Sequence, residues 1–156
     1  MIVQVGSEVL TQVAKPVRRD EATRALFVRM LTAMESANGV GIAAPQLGVS
    51  KRMMIVASHP NKRYPYAPQI DPICMINPEL LEQSAETELG WEGCLSVAGK
   101  RCQIERACHI TVRYENDERE VIEGEFSGFI ARIFLHELDH LNGITILDRA
   151  IEVVEI

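Results

Sequence analysis

The stretch from Ser127 to Leu141 constrains this chain more than any other. Phe129, Ile130, Ile133, Phe134, Leu138 and Leu141 recur at helical spacing and form a wide apolar face. Such a helix has to be largely buried. Yet it also carries His136, Glu137, Asp139 and His140. Ionisable groups inside an apolar frame are unfavourable unless they are paired or ligated. Asn142-Gly143 marks the end of the helix.

The rest of the chain supplies the cover. An amphipathic helix is expected over Asp20 to Ala37, with Leu26, Met30, Ala33, Met34 and Ala37 on one face, Asp20 as its cap and Asn38-Gly39 as its stop. Arg52 to Ala57 and Ile73 to Ile76 read as buried strands. Ser58 to Pro72, with Pro60, Pro65, Pro68 and Pro72, reads as an irregular surface loop. Arg101 to Tyr114 and Arg119 to Phe126 have strand character around the polar turn Asn116-Asp117-Glu118, a hairpin pattern. Strands gathered between two isolated helices imply an α+β fold, with small antiparallel or mixed sheets packed around the C-terminal helix and one helix near the N-terminus. At 156 residues, without repeat or linker, the chain is expected to form a single domain over 1–156.

Charge and cysteine usage exclude some functions. A formal net charge of −6 argues against a nucleic-acid partner held by bulk electrostatics. Lys15 with Arg18 and Arg19, and Lys51 with Arg52, read as solvated surface. No apolar run is long enough to span a bilayer. Met1 to Leu10 has no basic leader, so the expected location is the cytoplasm. There, Cys74, Cys94, Cys102 and Cys108 are not expected to form a disulfide framework, and three of them are expected to be small buried residues.

His136-Glu137-Leu138-Asp139-His140 carries the chemistry. Positions i and i+4 share a helix face, so the two imidazoles can bind one metal ion. Glu137 then sits beside the open coordination position and can move protons there. The bland alternative is a buried helix that happens to hold two histidines. A catalytic site of this type needs a third protein ligand. Downstream, Gly143 has the spacing of one familiar extension, but the required third histidine is replaced by Ile146. Asp148, Glu152 and Glu155 leave too little chain for another ligand helix. The third ligand is therefore expected upstream. Cys94, in Trp91-Glu92-Gly93-Cys94-Leu95-Ser96, is the best candidate, because Gly93 permits close backbone approach and a thiolate suits iron(II) or zinc. Cys102, Cys108 and His109 lie in a strand-like run without a flanking glycine. By itself Cys94 reads better as an inert buried thiol, and only the want of a partner for the histidine pair favours it as a ligand.

A third segment, Gly39-Val40-Gly41-Ile42-Ala43-Ala44-Pro45-Gln46, reads alone as a tight turn of small residues. Its spacing fits no phosphate loop. Taken in order, however, the three segments resemble the signature motifs of peptide deformylases: G-x-G-x-A-A-x-Q, E-G-C-L-S and H-E-x-D-H. Every defining position is matched, and the resemblance extends from about Leu10 to Arg149.

The resemblance implies a metal-dependent hydrolase that removes the formyl group from N-formylmethionyl peptides and releases formate. Cys94, His136 and His140 would bind one divalent ion, in the family usually iron(II), replaceable by nickel, cobalt or zinc, with water or hydroxide in the fourth place. Glu137 would act as general base and acid. The Gln46 amide and the Leu95 N–H would stabilise the oxyanion. Gly39, Val40, Gly41 and Gly93 would let an extended peptide pair with backbone, as would the stretch near Gly90. Phe129 and Ile133 would wall the methionine pocket, or else serve as plain core. Arg101 would contact the peptide, and Arg106 would brace Asp139 behind the ligands. The expected partners are formylated nascent peptides, with the ribosome as a place to meet them, and with no membrane and no specific nucleic acid. A monomer or weak homodimer is expected.

Two departures from the family pattern stand out. Leu135 replaces the glutamine common before the first histidine. Val97-Ala98-Gly99-Lys100 lacks the proline and aromatic residue often found there. The competing readings are another HExxH hydrolase, such as a small protease, and a non-catalytic binder of N-terminal peptides.

Overall fold

The computed structural model describes residues 1–156. Two helices clasp a five-stranded antiparallel sheet, and a three-stranded antiparallel sheet stands beside it. In chain order the elements are α1 (Arg24–Ser36), β1 (Gly41–Ala43), β2 (Met53–Ser58), β3 (Ile70–Gln83), β4 (Thr87–Cys94), β5 (Val97–Ala107), β6 (His109–Glu115), β7 (Val121–Ser127), α2 (Gly128–Leu141), α3 (Ile146–Arg149) and β8 (Glu152–Glu155). The larger sheet runs β1-β2-β3-β6-β7 and the smaller β4-β5-β8. The architecture is the α+β arrangement expected from the sequence.

Strand β2 explains the layering. All six of its residues are buried. Met54 and Val56 point into a core shared with Phe134, Ala131, Val112 and Leu141, on the α2 side. Met53, Ile55 and Ala57 meet Phe27, Met30 and Met34 of α1 on the other face. A strand covered on both faces reads as a continuous apolar run rather than an alternation. A third, smaller core of Cys94, Val97, Cys102, Ile104 and Ile146 fills the second sheet.

Several sequence expectations need correction. Helix α1 begins at Arg24 rather than Asp20, whose carboxylate instead pairs with Arg18 at 3.3 Å on the surface. Its buried face includes Phe27, while Leu26, Ala33 and Ala37 are only half-buried. The expected stop is present: Asn38 adopts φ 57° and the Gly39 N–H returns to the Met34 carbonyl at 2.9 Å.

The single strand read over Arg101 to Tyr114 is two strands in different sheets. Even-numbered residues stay inward on both sides of the break, so the alternation does not betray it. Cys108 makes the turn, with its N–H on the Glu86 carbonyl at 3.1 Å and its carbonyl accepting from Gly128 at 3.0 Å. The hairpin across Asn116 is present, pairing His109–Ser127 through Glu115–Val121.

Strand β3 is much longer than Ile73 to Ile76. It tolerates Pro78 because the ladder breaks there: its first half pairs with β2, its second with β6, and the register shifts between Ile76 and Glu79. Asn77 makes that shift with φ 50°, a left-handed conformation asparagine accepts more readily than most residues. Its side chain accepts the Val17 N–H at 2.9 Å and donates to the Val17 carbonyl at 2.9 Å. Strands β4 and β8 were not foreseen, being polar or short.

Arg52 is not plain solvated surface. It donates to the Leu141 carbonyl at 2.8 Å and the Asn142 side chain at 3.1 Å, closing the C-terminus of α2. Of the cysteines, all four are free, but Cys74 and Cys108 are half-buried rather than core.

Asn77→Ala should destabilise the fold by about 2–3 kcal/mol, from the lost side-chain hydrogen bonds to Val17 and Glu115 and a strained left-handed alanine. Asn77→Gly should lose about 1 kcal/mol less. Urea unfolding of the three proteins checks this, and equal midpoints would contradict it.

Candidate metal centre and peptide cleft

Helix α2 presents His136 and His140 one turn apart, with ring centroids 5.3 Å apart. Cys94, at the end of β4, meets them from the smaller sheet. Its Sγ lies 3.2 Å from His140 Nε2. The three donor atoms fall within 4.8 Å of one another. One soft sulfur and two imidazole nitrogens, buried and converging, form three corners of a site suited to zinc or iron(II). Burial pushes the Cys94 thiol up, but the two imidazoles outweigh it and hold the thiol well below its ordinary value. A thiolate is the form that ligates metal. The donors present therefore fit a divalent cation.

Behind His136 stands Glu92, which the sequence reading did not single out. Its Oε1 accepts from His136 Nδ1 at 2.8 Å and from Arg106 Nη2 at 2.9 Å. Its Oε2 accepts from Arg106 Nε at 2.9 Å and Arg132 Nη1 at 2.7 Å. Burial disfavours the charge, yet Arg106 and His136 keep the carboxyl ionised, far below the usual carboxylate range. An ionised Glu92 assigns the proton on His136 to Nδ1. The lone pair of Nε2 is then turned toward Cys94 and the shared site. The network continues outward: Arg106 Nη1 donates to Asp139 at 2.7 Å, and Arg149 reaches the same carboxylate at 3.0 Å.

Glu137 sits beside these three donors, with Oε2 3.9 Å from His136 Nε2. It is 4% exposed, and its Oε1 has no hydrogen-bond partner. Burial pushes this carboxyl above its ordinary value. The helix can lie this close to β1 only because of Gly41: a Cβ there would stand 2.6 Å from Glu137 Oε2. Gln46 follows in a short 3₁₀ turn over Ala44–Leu47. Its Oε1 accepts the Ala43 N–H at 2.9 Å, and its Nε2 donates to Ser96 Oγ at 3.1 Å, beside Cys94 Sγ at 3.8 Å. The first bond fixes which end of the amide points at the site.

These groups line a cleft partly open to solvent. Val40, Gly41, Gln46, Gly93, Leu95 and Glu137 lie along it with Phe129 and Ile133. Ile133 is also part of the α2 core, and Phe129 packs against that core, so both residues are core and cleft wall at once. Gly39 lies behind the wall, where a Cβ would stand 2.8 Å from the Leu95 side chain. Arg101 stands outside the lining, its guanidinium over the Tyr64 ring at 5.3 Å. Tyr64 and Arg63, from the proline-containing loop, line the cleft, and Arg132 does so from α2. No local pattern announces the loop residues.

A family model described as polypeptide deformylase matches residues 1–155. The chain belongs to that family. Peptide deformylase 2 of Shewanella oneidensis is 47% identical over 150 residues, which cover 96% of this chain and 83% of that protein. The peptide deformylase of Thermotoga maritima is 42% identical over 145 residues, covering 92% of this chain and 82% of that one. Among solved structures, the class I type b peptide deformylase of Acinetobacter baumannii with Met-Ala-Ser bound superposes with a TM-score of 0.91 at 46% identity, covering 96% of each chain. The crystal structure of the Thermotoga maritima deformylase gives 0.86 at 40% identity, covering 97% of each. Of the two departures from the deformylase pattern, Leu135 is buried in the α2 core and off the cleft, and Val97 fills the third core.

Glu92→Gln leaves two guanidinium groups facing a neutral amide, and breaking such a buried pair costs about 3–5 kcal/mol. The sign follows from the lowered carboxyl: its stabilisation is present above the ordinary carboxylate range and is lost as pH falls through the folded-state value. Urea unfolding should therefore show a gap between wild type and Glu92→Gln at pH 7 that narrows on acidification. A constant gap down to strongly acid pH would contradict this.

Proposed function

We propose that this chain is a working peptide deformylase, in which Cys94, His136 and His140 hold one divalent cation and Glu137 moves the protons. The observation that supports it best is the convergence of the Cys94 sulfur with the two α2 imidazoles beside a buried carboxylate, at the floor of a cleft. Membership of the family makes it a metallo-hydrolase of formylated nascent peptides. When bound, the cation would supply Lewis acidity and lower the pKa of water toward neutrality.

The protein residues do the rest. Glu137, buried and lacking a donor on Oε1, is suited to take the proton of the attacking water and give it to the departing amine. Gln46 Nε2 and the Leu95 N–H stabilise the negative charge that develops on the formyl oxygen. Val40, Gly41 and Gly93 offer backbone to the peptide, with Gly39 shaping the wall behind. Phe129 and Ile133 enclose the methionine side chain. Glu92 and Arg106, with Asp139, hold His136 in its ligating tautomer and fix the helix that carries it. Formate and a free N-terminal methionine leave.

The natural cation is iron(II), with zinc, nickel or cobalt able to replace it. Residues 1–156 act as one domain, monomeric or weakly dimeric, in the cytoplasm and in reach of the ribosome. No helix is long and apolar enough to cross a membrane.

Glu137→Ala should lower kcat for formate release from formyl-Met-Ala-Ser by about 10²–10⁴-fold while keeping its metal. Cys94→Ser should lose metal in a dialysis assay. Full activity in the first variant would remove the proton-transfer role. Intact metal and rate in the second would favour an ordinary HExxH hydrolase instead. Protein loaded anaerobically with iron(II) should lose activity in air faster than the nickel form, as metal and thiolate oxidise. Equal lifetimes would argue against iron.

A further inference from the structure

Two arginines stand at the mouth of the cleft without a carboxylate partner. Arg63 comes from the loop between β2 and β3, and Arg101 from β5. Their guanidinium carbons lie 5.4 Å and 5.3 Å from the centroid of the Tyr64 ring. Tyr64 packs on Phe129 at 5.2 Å, and its hydroxyl accepts the Gly93 N–H at 3.0 Å. Arg63 lines the cleft beside Gly93 and Glu137, and its Nη2 would stand 2.8 Å from a Cβ added to Gly93. Arg101 spends one donor on the Arg63 carbonyl, at 2.9 Å.

The deeper arginines differ. Arg106, Arg132 and Arg149 are each bonded to Glu92 or Asp139. Glu92 faces inward and is already bonded to Arg106, Arg132 and His136. Glu137 lies on the floor, turned to the metal ligands. Unpaired cations on the cleft rim of a chain with net charge −6 are a local reversal of sign. Stacking on Tyr64 holds both guanidinium planes in place, which reduces the entropy lost when an anion docks.

Building on the deformylase reading, we propose that Arg63 and Arg101 form a carboxylate subsite that favours formyl-methionyl chains with Asp or Glu at the second or third position. The carboxylate docks on the two guanidinium groups after the methionine has entered its pocket. The subsite lies away from the reacting bond, so its contribution is uniform binding and is read in KM rather than kcat.

The test compares amidated peptides: formyl-Met-Glu-Ser and formyl-Met-Ala-Glu against their Gln and Lys counterparts. At one of the two positions, kcat/KM should rank Glu over Gln by about three- to tenfold, through KM, with Lys lowest. The preference should shrink in 0.5 M salt, vanish in Arg63→Ala and partly return in Arg63→Lys. Thermal unfolding establishes that Arg63→Ala is folded, and the wild-type ratio needs no variant at all. Equal KM for Glu and Gln at both positions overturns the subsite, as does a preference that survives Arg63→Ala in folded protein. A preference confined to free-acid over amidated formyl-Met-Ala-Ser also overturns it, because the groups would then read a chain terminus. Should no peptide release formate, the deformylase reading falls together with the subsite. Formate released equally from all of them removes the subsite alone.

Discussion

The buried carboxylate of Glu92 joins the two halves of this molecule. Helix α2 belongs to the larger sheet, and the sulfur that meets its histidines belongs to the smaller one. Apolar packing alone leaves such a junction free to slide by fractions of an ångström. Glu92 removes that freedom by bonding His136 and Arg132 of α2 and Arg106 of β5 at once. Asp139 repeats the arrangement one turn on, between Arg106 and Arg149. A buried ion network of this kind adds little net stability compared with a well-packed apolar alternative. Its effect is positional: the imidazole and the thiolate are brought to one place, in one tautomer.

The same geometry sets the size of the residues around it. For α2 to reach β1 with Glu137 aimed at the cleft, the facing residue has to lack a side chain, and Gly41 does. The helix must also stop where Gly143 turns with φ 75° against the Thr11 carbonyl, leaving room for the N-terminal segment to pass. Ala14 then bonds its N–H to the Leu141 carbonyl at 2.8 Å, and Arg52 bonds the same carbonyl. Capping, small residues and the site are therefore one constraint expressed in several places.

Much of this was legible in the sequence, and the gaps have physical causes. Helix α2, the strand β2 and the β6–β7 hairpin have periodicities set by their own neighbours, so local pattern suffices. Cys94 was legible only by elimination and by resemblance, since nothing in a lone cysteine distinguishes a ligand from a packed thiol. Glu92 is not legible in the sequence, because a carboxylate in a polar strand reads as surface until Arg106 and Arg132 arrive from elsewhere in the chain. The break at Cys108 is hidden because even-numbered residues face inward in the stretches on either side of it. Arg63 and Tyr64 were hidden for a different reason. Prolines correctly announce a loop, but only tertiary packing says that the loop folds over the cleft rather than away from it.

Glu137 carries the clearest trade between stability and chemistry. Burial disfavours the ionised Glu137 carboxyl, and a hydroxyl or amide donor beside it would relieve that cost. Such a donor would also hold the carboxyl ionised and lower its appetite for a proton. The residues that could supply one are instead committed elsewhere: the Gln46 amide donates to Ser96, and Arg132 donates to Glu92 and to the Ile104 and Glu88 carbonyls. A carboxyl held above its ordinary range by burial, beside the Cys94, His136 and His140 donors, suits the proton transfer proposed for Glu137.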